Sequence, residues 1–188
     1  MATLKTLLQT LILSFLMVLP ACAADIQMQV RQEGSILTVE GKLKVAVNPN
    51  SAWAVLTDYT RYPEFVPGIN SSRILEQRGN LKFIEQHGVI NGGQIRMPFQ
   101  GAIQVEEHKR DDQPESIMIT FVSGPLKDVQ GEWNIRPAKP LELAYSMKMD
   151  LMKSPFPPPM AVTIIEQQVR TWVEAFANEM QAVKRKKE

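Results

Sequence analysis

The chain has 188 residues, 21 basic and 20 acidic side chains for a formal net charge of +1, and a single cysteine. The length suits one domain behind a short leader. Near-neutral charge excludes a general nucleic-acid binder, which needs a basic surface, and one cysteine excludes a disulfide framework.

The first two dozen residues read as a secretory signal. Lys5 gives a positive start, Leu7 to Leu19 an apolar run broken by Gln9, Thr10 and Ser14, and Ala21-Cys22-Ala23 a small-x-small cleavage pattern. The run is short for a membrane span. Residues 1–23 are expected to be removed, leaving a single domain over residues 24–188 that is exported, either periplasmic or secreted. Leu19-Pro20-Ala21-Cys22 keeps a second form open, in which Cys22 is lipidated and anchors the domain.

Ile26 to Gln32 alternates as a strand, and Glu33-Gly34 turns it. Ser35 to Val47 alternates again, with Leu37, Val39, Gly41, Leu43, Val45 and Val47 on one side. Asn48 and Pro49 are the cap and first position of a helix whose apolar face is Trp53, Val55 and Leu56. The helix should stop near Asp58. From Tyr59 to Gly68 the chain is rich in aromatics and proline, and Pro63 and Pro67 push Tyr62 and Val66 toward extended geometry. Two readings stand for this segment: a lid over an apolar cavity, or core filling by Trp53, Tyr59, Tyr62 and Phe65.

Six strands follow, over Ile69–Arg78, Leu81–Ile90, Gln94–His108, Ser116–Val122, Lys127–Arg136 and Leu141–Leu151. The turns between them, at Gly79-Asn80, Asn91-Gly92-Gly93, Asp111–Pro114, Ser123-Gly124-Pro125 and Pro137–Pro140, are short, so the strands form an antiparallel meander. Alternation gathers Phe83, Met97, Phe99, Phe121, Trp133, Met147 and Met149 on inward faces. Gly101 and Gly131 fall in phase with them, where a missing side chain leaves room or lets a strand bend. The stiff stretch Pro155–Pro159 leads to a long helix, Met160 to about Val183, with Val162, Ile165, Val169, Trp172, Phe176 and Met180 in one apolar stripe. The expected fold is α+β: a curved antiparallel sheet wrapped around this C-terminal helix, with a short helical segment after the first strands.

Signals for chemistry are sparse. His87 and His108 are the only histidines, no metal-ligand spacing exists, and neither a Gly-x-Ser-x-Gly elbow nor a phosphate loop is present. Glu85, His87 and Arg96 are candidates for facing a ligand's polar group, against the alternative of solvated outward charges. No catalytic residue, metal or cofactor is assigned. Met97, Met147, Met149, Met160 and Met180 jointly suit a deformable cavity. The tail Lys184–Lys187 reads as a solvated helix end, with transient attraction to anionic membrane lipids as the second reading.

Pro49, Ala52-Trp53-Ala54-Val55-Leu56-Thr57-Asp58-Tyr59, Tyr62-Pro63-Glu64-Phe65-Val66-Pro67-Gly68-Ile69, Ser72-Arg73 and the later Gly131-x-Trp133 resemble the START-like (SRPBCC) helix-grip superfamily. Within it the string is similar to the polyketide cyclase/dehydrase and coenzyme-Q-binding branch. The resemblance covers about Ser35 to Met180 and implies a deep apolar pocket for lipids, quinones or polyketide-like molecules. The candidate ligand contacts are Trp53, Tyr59, Tyr62, Phe65, Phe83, Met97, Phe99, Phe121, Trp133, Met147, Met149, Val169, Trp172 and Phe176. The function expected first is binding or carriage of a hydrophobic small molecule, a lipid or polyprenyl quinone, in a pocket of several hundred Å³. A cyclase or dehydratase using Tyr62, Glu85, His87 or Arg96 is the second, and a protein-interaction module with a filled cavity the third.

Overall fold

The structure, a computed structural model, describes residues 25–92 and 95–186. The expected leader with Lys5 and Cys22, Gly93 of the expected turn, and Lys187 of the basic tail lie outside the described residues. The strands are β1 (Asp25–Glu33), β2 (Ile36–Val45), β3 (Ile69–Arg78), β4 (Leu81–Gly92), β5 (Ile95–Arg110), β6 (Gln113–Phe121), β7 (Gln130–Arg136) and β8 (Leu141–Asp150). The helices are α1 (Pro49–Leu56), α2 (Tyr62–Phe65) and α3 (Pro158–Arg185). The strands make one curved, open, antiparallel sheet in the order β1-β2-β8-β7-β6-β5-β4-β3, packed against the 28-residue α3: a helix-grip fold.

Register follows from alternation. Leu37, Val39, Leu43 and Val45 of β2 stand opposite Met149, Met147, Leu143 and Leu141 of β8, so the inward rows of the two strands coincide. A shift by one residue would turn each row to solvent. Asn91 and Gly92 still pair in β4, with Arg96 and Ile95, so the strand runs farther than the sequence suggested.

Asn48 caps α1 as expected: its Oδ1 accepts from the Ser51 N–H at 2.8 Å. The segment after α1 is more regular than its prolines suggested. Tyr59–Arg61 is a 3-10 turn, and Tyr62, expected to be extended, is helical (φ −51°, ψ −38°). Pro63 sits in the first turn of α2, where no backbone donor is needed, and the Val66 N–H closes that turn on the Tyr62 carbonyl at 2.8 Å. Val66, before Pro67, is extended as expected (φ −92°, ψ 110°). The chain then reverses at Gly68 (φ +87°), whose carbonyl accepts from the Val89 N–H at 2.7 Å. Gly88 permits this approach, since a Cβ there would lie 2.1 Å from the Gly68 oxygen.

Helix α3 starts at Pro158, two residues before the expected start, because prolines fit a helix's first turn. Its buried line is Ala161, Ile164, Ile165, Gln168, Val169, Val173, Phe176, Ala177 and Met180. Val162 and Trp172, expected in the apolar stripe, are only partly buried. Trp172 lies at the margin because its indole N–H reaches across to the Pro67 carbonyl at 3.0 Å.

Candidate functional site

A cavity lies between the concave face of the sheet and α3. The sheet contributes Ile69 of β3, Gln86 and Ile90 of β4, Ile103 of β5, Ile119 and Phe121 of β6, Gly131 and Trp133 of β7, and Tyr145, Met147 and Met149 of β8. Helix α3 contributes Ile165, Gln168, Val169, Trp172, Val173 and Phe176. Tyr62 and Val66 close it from the segment between α1 and β3, and Leu126 and Val129 from the β6–β7 loop. The space between these side chains is about 90 Å³. The sequence suggested several hundred; ring and thioether side chains take up most of that room.

Among the expected contacts, Tyr62, Phe121, Trp133, Met147, Met149, Val169, Trp172 and Phe176 line this space. Trp53, Tyr59, Phe65, Phe83, Met97 and Phe99 do not. Trp53 is buried under α1 with the Lys109 ammonium 5.4 Å from its ring centre. Phe65 packs edge-on against Tyr62 and Phe176, at 5.7 and 5.5 Å between ring centres. Phe99 lies over Gly88, and Met97 stands opposite Ile90 near the strand end.

Phe83 faces the other way. β4 pairs Ile84 with Ile103, Gln86 with Gly101 and Gly88 with Phe99, so its even-numbered residues point inward. Phe83, Glu85 and His87 share the outer face. There Glu85 accepts from Arg73 at 2.8 Å and meets the His87 Nε2 at 3.1 Å. Arg73, then His87, hold its carboxyl below the usual carboxylate range. Arg96 is exposed. None of these three charged candidates reaches the cavity.

Gly101 also has a different role from the one expected. A Cβ there would lie 2.6 Å from the Ser123 carbonyl oxygen, so the missing side chain admits the β6–β7 loop backbone instead of a ligand. A large residue at Gly101 would displace that loop. Gly131 lines the cavity, and a Cβ there would sit a tight 3.3 Å from the Tyr145 hydroxyl, so the missing side chain makes place for that hydroxyl.

Tyr59 is anchored beside the cavity. Its hydroxyl donates to Glu107 Oε1 at 2.9 Å, and the same carboxylate oxygen accepts from Lys82. The Tyr62 hydroxyl donates to the Leu56 carbonyl at 2.5 Å. Arg61 reaches Glu64 at 2.9 Å and Glu179 of α3 at 3.2 Å, tying the segment between α1 and β3 to the helix.

Tyr59, Tyr62 and Tyr145 are the three tyrosines of the chain. Burial is the first cause that pushes each phenol above its ordinary value, and the charge of Glu107 adds to the effect at Tyr59 and Tyr62. Below pH of about 10 the phenols are protonated in both folded and unfolded chains, and their full contribution to stability is present. Above it the unfolded chain releases protons that the folded one keeps, so stability falls as pH rises. We expect no phenolate absorbance in the folded protein near pH 10, and a cooperative rise only as the chain unfolds. A smooth titration of all three with a midpoint near 10 in folded protein would contradict this burial.

Among the described residues no group of three or more His, Cys, Asp or Glu side chains is placed to hold a metal ion. An apolar wall of this kind can take an apolar molecule out of water, and among the described residues no acidic, basic or histidine side chain lines it.

Sequence reading missed Gln86 and Gln168. The Gln168 Oε1 accepts from the Asn91 N–H at 3.3 Å, and the Gln86 amide donates to Ser72 Oγ at 3.4 Å. A glutamine in an apolar helix stripe was the available signal for Gln168. Tyr145 was seen only as one member of an alternating strand.

Residues 45–177 match the family described as polyketide cyclase / dehydrase and lipid transport. No curated protein matches the sequence. Among solved structures, a STAR-related lipid transfer protein from Xanthomonas axonopodis is similar at a TM-score of 0.66 and 16% identity, over 83% of this chain and 93% of that one. The Zhui aromatase/cyclase from Streptomyces sp. R1128 is similar at 0.63 and 17% identity, over 78% and 94%. A START superfamily protein from Mycobacterium smegmatis is similar at 0.62 and 17% identity, over 78% and 98%. Identities this low speak for the fold alone.

Proposed function

We propose, from the premise that this chain belongs to the polyketide cyclase / dehydrase and lipid transport family, that it binds a hydrophobic small molecule and does not transform it. The ligand is a lipid, polyprenyl quinone or similar molecule, held between sheet and α3. One observation carries the reading: the wall is apolar apart from Gln86, Gln168, Tyr62, Tyr145 and the indole N–H groups, with no side chain that titrates near neutral pH. A cyclase or dehydratase reading needs a general acid and base in reach of one substrate, and neither is supplied.

Sites that enclose a drug-sized ligand run to about 300–1,000 Å³. A ligand of that size therefore enters by displacing side chains. Met147, Met149 and the partly buried Trp172 are the flexible or marginal members of the wall, and methionine adapts to irregular shapes at low cost.

Residues 1–23 are proposed as a secretory signal, which puts the mature domain in a periplasm or outside the cell, or on a membrane through a lipidated Cys22. Among the described residues no helix is long and apolar enough to cross a membrane. Contact with a membrane would then be transient in the soluble form.

The test is native mass spectrometry, without detergent, of protein purified from its own compartment, followed by solvent extraction. The expected result is a chain starting at or near Ala24, or at an acylated Cys22, carrying one extractable apolar molecule. A cytoplasmic chain retaining Met1 would overturn the export, and a chain with nothing to extract would count against carriage.

A further inference from the structure

The polar groups of the cavity wall are not equivalent. Gln86, Gln168, Tyr62 and Trp172 each spend a polar atom on a protein partner: Ser72, the Asn91 N–H, the Leu56 carbonyl and the Pro67 carbonyl. The Trp133 indole N–H and the Tyr145 hydroxyl have no hydrogen-bond partner among the described residues, and their rings pack at 4.8 Å between centres. The Tyr145 oxygen lies over Gly131, 3.3 Å from where a Cβ would be, a close approach that the missing side chain permits. On the other flank it stands opposite Gly41 of β2, which also lacks a side chain. Tyr145 is partly buried, and a hydroxyl that lines an apolar wall without a protein partner is left for a ligand or water to satisfy.

We infer that the cavity selects an uncharged ligand whose carbonyl, ether or hydroxyl oxygen accepts a hydrogen bond from the Tyr145 hydroxyl, and that it rejects carboxylates and phosphates. The inference rests on the cavity being the ligand site. The phenol stays protonated at neutral pH and so is a donor. With no basic side chain in the wall, an anion entering it would lose its hydration without gaining a counter-charge. A neutral oxygen gives up much less on leaving water and recovers it from the phenol.

Three probes of nearly equal shape separate these effects: 2-acetylnaphthalene, 2-isopropylnaphthalene and 2-naphthoate. Each is titrated by equilibrium dialysis at pH 7 into the full mature protein and into Tyr145→Phe. The substitution deletes one oxygen that has no protein partner, so the variant is expected to fold, and its affinity for the hydrocarbon is the control. For the ketone, Tyr145→Phe should weaken binding roughly 2- to 12-fold, the worth of one neutral hydrogen bond. For the hydrocarbon it should cause no loss. The carboxylate should bind the unsubstituted protein at least on the order of 100-fold more weakly than the ketone. A ketone affinity unchanged by Tyr145→Phe, or a carboxylate bound as tightly as the ketone, would overturn the inference while leaving the cavity as a binding site. Failure of all three probes to bind would overturn the cavity reading and this inference with it.

Discussion

Replacing Phe176 with alanine should cost about 3–5 kcal/mol of folding stability. The ring is 7% exposed and stands where three parts of the fold meet. It packs edge-on against Tyr62 at 5.1 Å and Phe65 at 5.5 Å in α2, and against Trp133 of β7 at 5.6 Å. Such ring pairs add to the burial of the area itself. Truncation would leave a void that α3 cannot close, because Val173 and Ala177 on either side are already buried against the sheet. Chemical unfolding, with the midpoint shifted at an unchanged slope, is the measurement. A shift worth under about 1 kcal/mol would mean that α3 is not gripped at this point. The partly buried Trp172, which the sequence placed on the same apolar stripe, should show a smaller loss on the same change.

The contrast between these two residues marks where sequence reading succeeds and where it stops. Apart from Ile36 and Ala144, strands β2, β7 and β8 carry their apolar residues on one parity, so their inward faces could be read directly. The Asn48-Pro49 start was equally plain, because both residues have a local physical preference. β4 was harder. Phe83 and Val89 are apolar on one parity, Ile84 and Ile90 on the other. Glu85 and His87 on the first parity were the signal that Phe83 faces outward, and alternation alone did not weigh them. The rotation of α3 was hidden for a similar reason. A tryptophan looks like core, but its N–H needed an acceptor, and the Pro67 carbonyl lies more than a hundred residues away in the chain. Gly101 and Gly131 look alike in sequence; only the tertiary structure shows that the first admits the β6–β7 loop backbone and the second the Tyr145 hydroxyl. The cavity's size was beyond reach because it is a difference between the space under the sheet and the volume of the rings filling it.

Met147→Trp carries the second large effect, and it falls on binding. Met147 is 6% exposed, stands opposite Gly131 of β7 and Val39 of β2, and lines the cavity. A larger side chain there has the cavity as its available space. Overpacking typically costs about 1–3 kcal/mol, which a domain of this size can tolerate. The same indole would occupy the volume that a ligand needs, so affinity should fall at least on the order of tenfold, a free-energy change of about 1.4 kcal/mol or more.

That comparison tests the central claim most directly: titration of the neutral fluorescent probe N-phenyl-1-naphthylamine into the mature protein and into Met147→Trp, with thermal unfolding of both recorded in the same buffer. The account predicts saturable fluorescence with the unsubstituted protein and little or none with a folded Met147→Trp. Equal affinity in a folded variant, or no binding by either protein, would contradict a ligand site between the sheet and α3.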